Sequence, residues 1–213
     1  FKVKSFHNIK NFFKSLLFEK YCHYCGKVDE TICLNCLNSI FSSYSIREIN
    51  NKKVLYFFNK DPKIMELIVS YKDKQIYSLG PLFSFITFIG LEILTQNDSY
   101  VVVNVPTSSI NIKRRGNDPI AKMVEQACFF NKSKYRYRNN LITNYQNRLD
   151  QVGLDYKQRK LNLANSFKVT KIEKRPIILV DDLITTGVSL SESIKALESK
   201  GNTVQGCVVI ASN

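Results

Sequence analysis

Two adjacent carboxylates, Asp181 and Asp182, follow a short apolar run and precede a small polar turn. Carboxylates at the end of a strand accept hydrogen bonds from the vicinal hydroxyls of a ribose, and they also contact hydrated Mg²⁺. Thr185, Thr186 and Gly187 add hydroxyls and clustered backbone N–H groups, which suit a phosphate where a helix begins. Gly187 also lets the backbone approach a ligand closely. The pattern predicts a sugar-phosphate site.

The segments around this motif predict a strand, a turn and a helix in succession. Ile177 to Val180 predicts a buried strand that ends at the carboxylates, a helix is expected from about Ser189 to Ser199, and Thr203 to Ile210 predicts the next strand. A Walker loop is excluded because GxxxxGK[ST] is absent, and GxGxxG is absent too. A helix-capping turn after an acidic strand end remains the alternative.

The chain before this motif also alternates between strand and helix. Strands are predicted at Val54 to Phe58, Tyr100 to Val105 and Tyr135 to Arg138, and helices at Asp61 to Tyr71 and Asp118 to Phe130. Each of these helices has an Asp at its N-cap followed by Pro at the first helical position. The alternation predicts an α/β domain with a parallel sheet.

The length of 213 residues allows one α/β domain and a small appended module. With 44% hydrophobic and 23% charged residues, the chain has enough apolar side chains for a folded core. We expect an N-terminal helix and a small cysteine-containing module over residues 1–50 and the α/β domain over residues 51–213.

Four of the six cysteines form a C-x2-C-x7-C-x2-C pattern. Two such CxxC pairs bring four thiolates to a tetrahedral centre, and metal binding supplies the folding energy that a small module lacks. A disulfide framework fits a secreted protein, and haem attachment needs CxxCH, which is absent. The pattern predicts structural zinc on Cys22, Cys25, Cys33 and Cys36. Cys128 and Cys207 are expected to be buried thiols.

The first twenty residues have apolar side chains at helical spacing among lysines, which predicts an amphipathic helix. Packing against the rest of the fold and lying on a membrane surface are both open for this helix. No secretory signal is expected, and the apolar run Leu79 to Leu94 is interrupted by polar residues, so no transmembrane helix is expected. These features predict a cytoplasmic protein.

The net charge of +13 is concentrated in residues 1–60 and 113–175, whereas the other segments are slightly acidic. Such a distribution favours an anion-binding surface, and nucleic acid is the expected anion. Tyrosines interleave with cations over residues 132–160, a pattern that stacks bases and follows a phosphate backbone. Strand alternation would instead place Tyr135 and Tyr137 in the core. The DNA-binding candidates are Lys132, Lys134, Arg136, Arg138, Arg148 and Arg159.

The segment VDDLITTG, residues 180–187, resembles the phosphoribosyl pyrophosphate motif of type I phosphoribosyltransferases. The order of features along nearly the whole chain resembles the ComF family of competence proteins. Those features are the four cysteines, Lys72 after ELIVSY, Val105-Pro106, Arg114-Arg115-Gly116, QVGL at 151–154, the segment 159–167 and the VDDLITTG motif. The chain departs from the family pattern where Asp73 follows Lys72 and where Asn117-Asp118-Pro119 follows Gly116.

The resemblance implies a phosphoribosyltransferase-like fold that binds phosphoribosyl pyrophosphate with Mg²⁺. The implied ligand-binding residues are Asp181, Asp182, Leu183, Ile184, Thr185, Thr186 and Gly187, and the candidate catalytic cations are Lys72, Arg114 and Arg115. It also implies handling of single-stranded DNA during natural transformation, on the cytoplasmic side of the inner membrane, with DNA-uptake or helicase proteins as partners. A phosphoribosyltransferase with an unidentified acceptor and a zinc-mediated adaptor of the uptake machinery are the alternatives.

Overall fold

The computed structural model describes residues 21–22, 24–28, 33–41, 44–144 and 166–213 of the chain. The predicted N-terminal amphipathic helix, the QVGL segment, Arg148 and Arg159 lie outside these residues. The α-helices are α1 (Leu34–Phe41), α2 (Pro62–Lys72), α3 (Gly80–Leu94), α4 (Ser109–Arg115), α5 (Pro119–Phe129) and α6 (Val188–Ser199). The strands are β1 (Ser45–Ile49), β2 (Lys52–Asn59), β3 (Tyr100–Asn104), β4 (Tyr135–Tyr137), β5 (Ile142–Asn144), β6 (Phe167–Val169), β7 (Ile177–Ile184) and β8 (Val204–Ser212).

Six strands form one sheet in the order β1-β2-β8-β7-β3-β4. All neighbours in this sheet are parallel except β1, which pairs antiparallel with β2. The central strands β3, β7 and β8 are almost continuously apolar because both of their faces are covered. The predicted α/β class with a mainly parallel sheet is confirmed. Strands β5 and β6 form a separate antiparallel pair.

The β1–β2 hairpin turns at Asn50 and Asn51, whose φ angles are 50° and 59°. Two consecutive positive φ values characterise a type I′ turn, and Asn is one of the few residues that tolerates them. Strand β1 begins at Ser45. The six-stranded sheet therefore starts on the N-terminal side of the domain boundary that the sequence predicts at residue 50.

Helices cover both faces of the sheet and give the domain two hydrophobic cores. Helices α2, α3 and α5 pack on one face, whereas α6 and the β5–β6 pair lie on the other. Tyr135 and Tyr137 of β4 point to the α5 face, and Tyr135 is buried. The predicted core position of these two tyrosines is thus confirmed.

Helix α3 is pressed against the middle of the sheet. A Cβ atom on Gly90 would collide with the Val208 side chain of β8, so glycine permits the close packing of helix on strand. The segment Tyr77–Leu94 is long and apolar enough to cross a membrane by length and composition, and 56% of it is buried inside the fold. Its apolar surface therefore serves largely as core.

Candidate ligand site at the carboxyl edge of the sheet

The predicted sugar-phosphate motif lies at the carboxyl edge of the sheet, between β7 and α6. We call Asp181 and Asp182 the acid pair, and Thr185 to Gly187 the Thr-Thr-Gly turn. The sequence placed the end of the strand before the acid pair, but β7 continues through it because the β7–β8 ladder extends to Ile184 and Ser212. Consecutive side chains of a strand point to opposite faces, so the two carboxylates are directed differently.

The two members of the acid pair have opposite electrostatic surroundings. Asp182 is 4% exposed, and its Oδ2 atom lies 2.6 Å from Nζ of Lys72. Burial alone would raise the pKa of Asp182, but the Lys72 ammonium and hydrogen bonds from Asp181 and Lys72 lower it below its ordinary value. Burial, followed by the charge of the neighbouring Asp182, raises the pKa of Asp181 well above its ordinary value. The pair thus favours one ionised and one protonated carboxyl.

Lys72 reaches the acid pair from the last residue of α2. The helix begins after Asp61, whose Oδ1 atom accepts the N–H groups of Lys63 and Ile64 at 2.9 and 3.2 Å. Burial opposes the charge of Lys72, but Asp182 reverses this effect and raises the pKa of the lysine. Lys72 is therefore a fixed cation beside β7.

Arg114 and Arg115, which we call the arginine pair, bind a single carboxylate oxygen. Oδ1 of Asp73 lies 2.9 Å from Nη2 of Arg114 and 2.8 Å from Nη2 of Arg115. The Arg115 side chain is only 7% exposed, and its Nε atom also donates to the same oxygen at 3.1 Å. Asp73, the residue that departs from the ComF pattern, contacts both arginines and offsets one of their two positive charges.

The Thr-Thr-Gly turn leads directly into α6. Gly187 occupies the N-cap position with φ +74°, a left-handed conformation that glycine adopts without strain. Gly187 has no side chain with which to cap the first N–H groups of the helix. A cavity of about 30 Å³ is lined by the turn together with residues from Asp181 to Leu190. The turn thus offers exposed hydroxyls and a helix N-terminus at one place, as a phosphate requires.

The predicted DNA-binding residues in the described part of the chain lie in β4 and on either side of it. We call Lys132, Lys134, Arg136 and Arg138 the basic surface. Lys134 pairs with Glu92 at 3.3 Å, and Arg138 pairs with Glu173 at 3.2 Å. Lys132 and Arg136 are exposed and have no carboxylate partner among the described residues. Half of these cations are therefore already paired.

The four cysteines of the predicted zinc module come together as a cluster. Their sulfur atoms all lie within 4.8 Å of one another, and the Sγ atoms of Cys25 and Cys33 are 3.8 Å apart. A tetrahedral zinc site with Zn–S bonds of about 2.3 Å requires sulfur atoms roughly 3.8 Å apart, so the cluster fits one metal ion. Burial opposes ionisation of Cys22, but backbone N–H groups of Cys33, Cys25 and Tyr24 lower its pKa to about 7.

The cysteine cluster is attached to the α/β domain next to α2. The hydroxyl of Tyr24, within the first CxxC pair, donates to Oδ2 of Asp61 at 2.9 Å. Lys63 lies over the Tyr24 ring at 5.4 Å. The Asp61 carboxylate thus caps α2 with one oxygen and holds the cysteine module with the other.

The remaining cysteines agree with the sequence prediction of buried thiols. Burial is the main cause that raises the pKa of Cys128 to about 12, and it also raises the pKa of Cys207. Both side chains are buried, in α5 and β8 respectively. Neutral buried thiols are poor nucleophiles and metal ligands.

Sequence reasoning missed Arg47 of β1, which reaches the carboxyl edge. Its Nη1 atom donates to Oγ of Ser212 at 3.2 Å, although the two residues are 165 positions apart. Its Nη2 atom lies 3.5 Å from the position of a Cβ atom on Gly187. No local motif marks this residue, because its place depends on the hairpin joining the sheet beside β8.

Comparisons with known proteins give structural likenesses only. No family model matches the chain, and no curated protein sequence matches it. Among solved structures, it is similar to orotate phosphoribosyltransferase from Aeropyrum pernix, with a TM-score of 0.33 and 16% identity over 84% of this chain and 78% of that chain. It is also similar to a hypoxanthine phosphoribosyltransferase from Staphylococcus aureus, with a TM-score of 0.30 and 11% identity over 61% of each chain.

Proposed function

We propose that this protein binds phosphoribosyl pyrophosphate with Mg²⁺ at the carboxyl edge of its sheet. The observation that carries the proposal is the acid pair, whose buried member Asp182 lies 2.6 Å from Lys72, followed closely by a Thr-Thr-Gly turn that leads into a helix. The ribose hydroxyls donate to Asp181 and Asp182, and the 5-phosphate accepts N–H and hydroxyl groups of residues 183–187. Leu183 and Ile184 have no charged side chains, and they line the cavity and supply backbone groups.

The raised pKa of Asp181 favours a ligand that supplies positive charge or hydrogen-bond donors. Without ligand, burial and the charge of Asp182 raise the pKa of Asp181. A hydrated Mg²⁺ and the hydroxyls of a ribose both stabilise the ionised form of the acid pair. Mg²⁺ would also neutralise the pyrophosphate group. Ligand binding is thus expected to release a proton from this site.

Lys72, Arg114 and Arg115 are the candidate cations for the pyrophosphate group. Phosphoribosyl transfer depends mainly on positioning and on neutralising the leaving pyrophosphate. Lys72 stands beside the acid pair, whereas an anion at the arginine pair would compete with Asp73. We therefore propose ligand binding as the primary activity, and transfer to an acceptor as an activity that depends on this competition.

Isothermal titration calorimetry with phosphoribosyl pyrophosphate and Mg²⁺ tests the proposal. The wild-type protein is expected to bind, and the double variant Asp181→Asn/Asp182→Asn is expected to lose at least about a hundredfold in affinity, because two charge-assisted interactions disappear. Asp98→Asn serves as the matched control, since Asp98 is exposed in the loop before β3. Equal affinity of the double variant and the control would refute the proposed site.

We also propose that the protein handles single-stranded DNA during natural transformation, at the cytoplasmic face of the inner membrane. The proposal rests on the ComF resemblance, on the net charge of +13 and on the exposed cations of the basic surface. Lys132 lies 3.9 Å from the centre of the Phe129 ring, and Phe129 is 57% exposed. An exposed ring beside a cation suits a stacked base and its phosphate.

Fluorescence anisotropy with single-stranded DNA, across a salt series and with or without phosphoribosyl pyrophosphate and Mg²⁺, tests this second function. Affinity should fall steeply with salt because cations on the protein displace counterions. Absence of binding near physiological salt would eliminate DNA handling and leave a DNA-uptake or helicase protein as the partner to be sought. The sugar-phosphate proposal does not depend on this outcome.

We further propose that the cysteine cluster holds structural zinc. The donor set and its spacing fit a closed four-thiolate site, which has no open position for catalysis. Removal of the metal by a chelator should unfold the cysteine module and weaken the Tyr24–Asp61 contact. Metal analysis should find one zinc per chain. A chain without zinc and with unchanged thermal stability after chelation would contradict this proposal.

A further inference from the structure

The β1–β2 hairpin brings an arginine to the Thr-Thr-Gly turn. The guanidinium of Arg47 lies between the end of β8 and the start of α6, where its Nη1 atom donates to Oγ of Ser212 at 3.2 Å. Its Nη2 atom is 3.5 Å from the position that a Cβ atom would take on Gly187. The predicted domain boundary assigned Arg47 to the N-terminal module. In the fold it is a neighbour of the turn that follows β7.

Contacts between the hairpin and α6 fix this arginine in place. The Asn50 side chain exchanges two hydrogen bonds with Ser191, donating to its carbonyl oxygen at 2.9 Å and accepting from its hydroxyl at 3.1 Å. Lys52 pairs with Glu198 at 2.6 Å farther along the helix. These contacts hold the hairpin against the first and last turns of α6. Arg47 is therefore held beside the turn before any ligand arrives.

Arg47 lacks the carboxylate partner that the other cations of the carboxyl edge have. Among the described residues, Lys72 pairs with Asp182 and Arg115 with Asp73, whereas no carboxylate lies within ion-pair distance of Arg47. Its Nε atom is buried and has no hydrogen-bond partner in this part of the chain. The fold covers this Nε atom, so the terminal Nη atoms are the donors through which Arg47 could meet an anion.

The position of Arg47 is also unfavourable without an anion. The N-terminus of α6 carries partial positive charge, and its N-cap residue, Gly187, has no side chain to cap the first N–H groups. A second positive group at the same place adds repulsion, because the macrodipole favours anions there. A phosphate would accept from N–H groups at the start of the helix and from the guanidinium together. A single phosphate group would thus offset the positive charge of both the helix N-terminus and Arg47.

We propose that Arg47 binds the 5-phosphate of the ligand and is a phosphate-binding residue of the carboxyl edge. This inference rests on the proposed sugar-phosphate function and adds to it a residue that lies outside the VDDLITTG motif. Arginine suits this role because its planar group forms two parallel hydrogen bonds to phosphate oxygens. The hydrogen bond to Ser212 orients the guanidinium. The ligand class is a phosphate monoester on a ribose.

The variants Arg47→Gln and Arg47→Lys test the inference, with ribose 5-phosphate as the probe in titration calorimetry. Arg47→Gln should weaken binding roughly tenfold to a hundredfold, the effect of losing a charge-assisted contact. Arg47→Lys should lose less, because it keeps the charge without the paired geometry. Lys53→Gln is the matched control, since Lys53 is an exposed cation on the same hairpin.

Two readouts separate phosphate binding from a merely structural role. The second proton of a phosphate monoester leaves at a pKa of about 6, so wild-type affinity should rise between pH 5 and 7, and Arg47→Gln should flatten this rise. Without ligand, Arg47→Gln should melt at the same temperature as the wild type or higher, because repulsion at the helix N-terminus is removed. Loss of stability that Arg47→Lys restores, without an effect on the pH profile, would overturn the inference.

The outcomes for the two proposals are distinguishable. If wild-type protein fails to bind ribose 5-phosphate and phosphoribosyl pyrophosphate, the proposed function fails. If the wild type binds both, Asp181→Asn/Asp182→Asn abolishes binding, and Arg47→Gln binds like Lys53→Gln, only the role of Arg47 is refuted. Equal weakening of both ligands by Arg47→Gln supports the inference, because both carry the same 5-phosphate.

Discussion

The carboxyl edge and the basic surface both collect cations, but only the carboxyl edge pairs every predicted one. Each of the three cations predicted there is bound to a carboxylate from another element, at distances of 2.6 to 2.9 Å. On the basic surface, two cations are paired at 3.2 and 3.3 Å, and Lys132 and Arg136 lack such a partner among the described residues. The number of basic residues in a region therefore does not show how many cations are free to bind a ligand, because some of them already form ion pairs.

The difference also concerns how much each region depends on burial. Asp182 and Arg115 are buried at the carboxyl edge, so their charges require partners. The basic surface is more open to solvent, where ion pairs contribute little to stability and are screened by salt. Changes at the carboxyl edge should therefore alter stability and ligand affinity strongly, whereas changes on the basic surface should alter only salt-dependent binding.

The largest expected effect is that of Asp182→Asn on stability. This change leaves the Lys72 ammonium without its partner, and it should lower the free energy of unfolding by roughly 2–3 kcal/mol, less than for a fully buried pair because the lysine is partly exposed. Urea unfolding at pH 7 measures the change, with Asp98→Asn as control. Because the pKa of Asp182 is held down, its contribution is present above pH 4 and lost as the pH falls further.

Asp181→Asn should raise the stability of the ligand-free protein, whereas Asp182→Asn lowers it. The folded-state pKa of Asp181 is raised, so the folded chain binds more protons than the unfolded chain, and stability falls as the pH rises from about 4 until Asp181 ionises. Asparagine does not ionise, so the variant does not lose stability in this way as the pH rises. Its melting temperature should exceed that of the wild type by about 2–4 °C at pH 8. A variant that melts below the wild type at pH 8 would contradict the electrostatic assignment.

Asp73→Asn should increase the affinity for inorganic pyrophosphate about threefold to tenfold. The amide keeps a hydrogen-bond acceptor for Arg115 but removes the single negative charge that the arginine pair shares. Titration calorimetry with Mg²⁺ measures the change, and Glu66→Gln on the exposed side of α2 is the control with the same charge difference. Weaker pyrophosphate binding by Asp73→Asn would mean that Asp73 aids rather than competes with the anion.

The smallest effect is expected on the basic surface. Removing two unpaired cations with Lys132→Gln and Arg136→Gln should reduce the slope of log affinity against log salt for single-stranded DNA by about 1–2, since each phosphate contact contributes about 0.7. Lys53→Gln with Lys74→Gln is the control, because both lysines are exposed elsewhere. An unchanged slope would move the DNA surface away from β4.

Local patterns in the sequence predicted the elements that carry the site. The Asp-Pro starts of α2 and α5 and the apolar runs of β3 and β7 appear in the fold because each depends on neighbouring residues. The four cysteines likewise form their cluster from two short CxxC pairs. The end of β7 was placed too early, because pairing with β8 extends the strand through two residues with low strand propensity.

Long-range contacts could not be predicted in the same way. The Lys72–Asp182 pair joins residues 110 positions apart, and the pairing of Asp73 with the arginine pair spans about 40 positions. Arg47 reaches the site only because β1 folds back beside β2 at a two-asparagine turn. Such contacts follow from the order of strands in the sheet, and the alternation of segments does not specify that order.

A crystal structure of the complex with phosphoribosyl pyrophosphate and Mg²⁺ tests the central claim most directly. We predict the 5-phosphate at the Thr-Thr-Gly turn within reach of Arg47, and the ribose hydroxyls on Asp181 and Asp182. A ligand bound only through the arginine pair, with the acid pair still closed on Lys72 and no phosphate at the start of α6, would contradict the account.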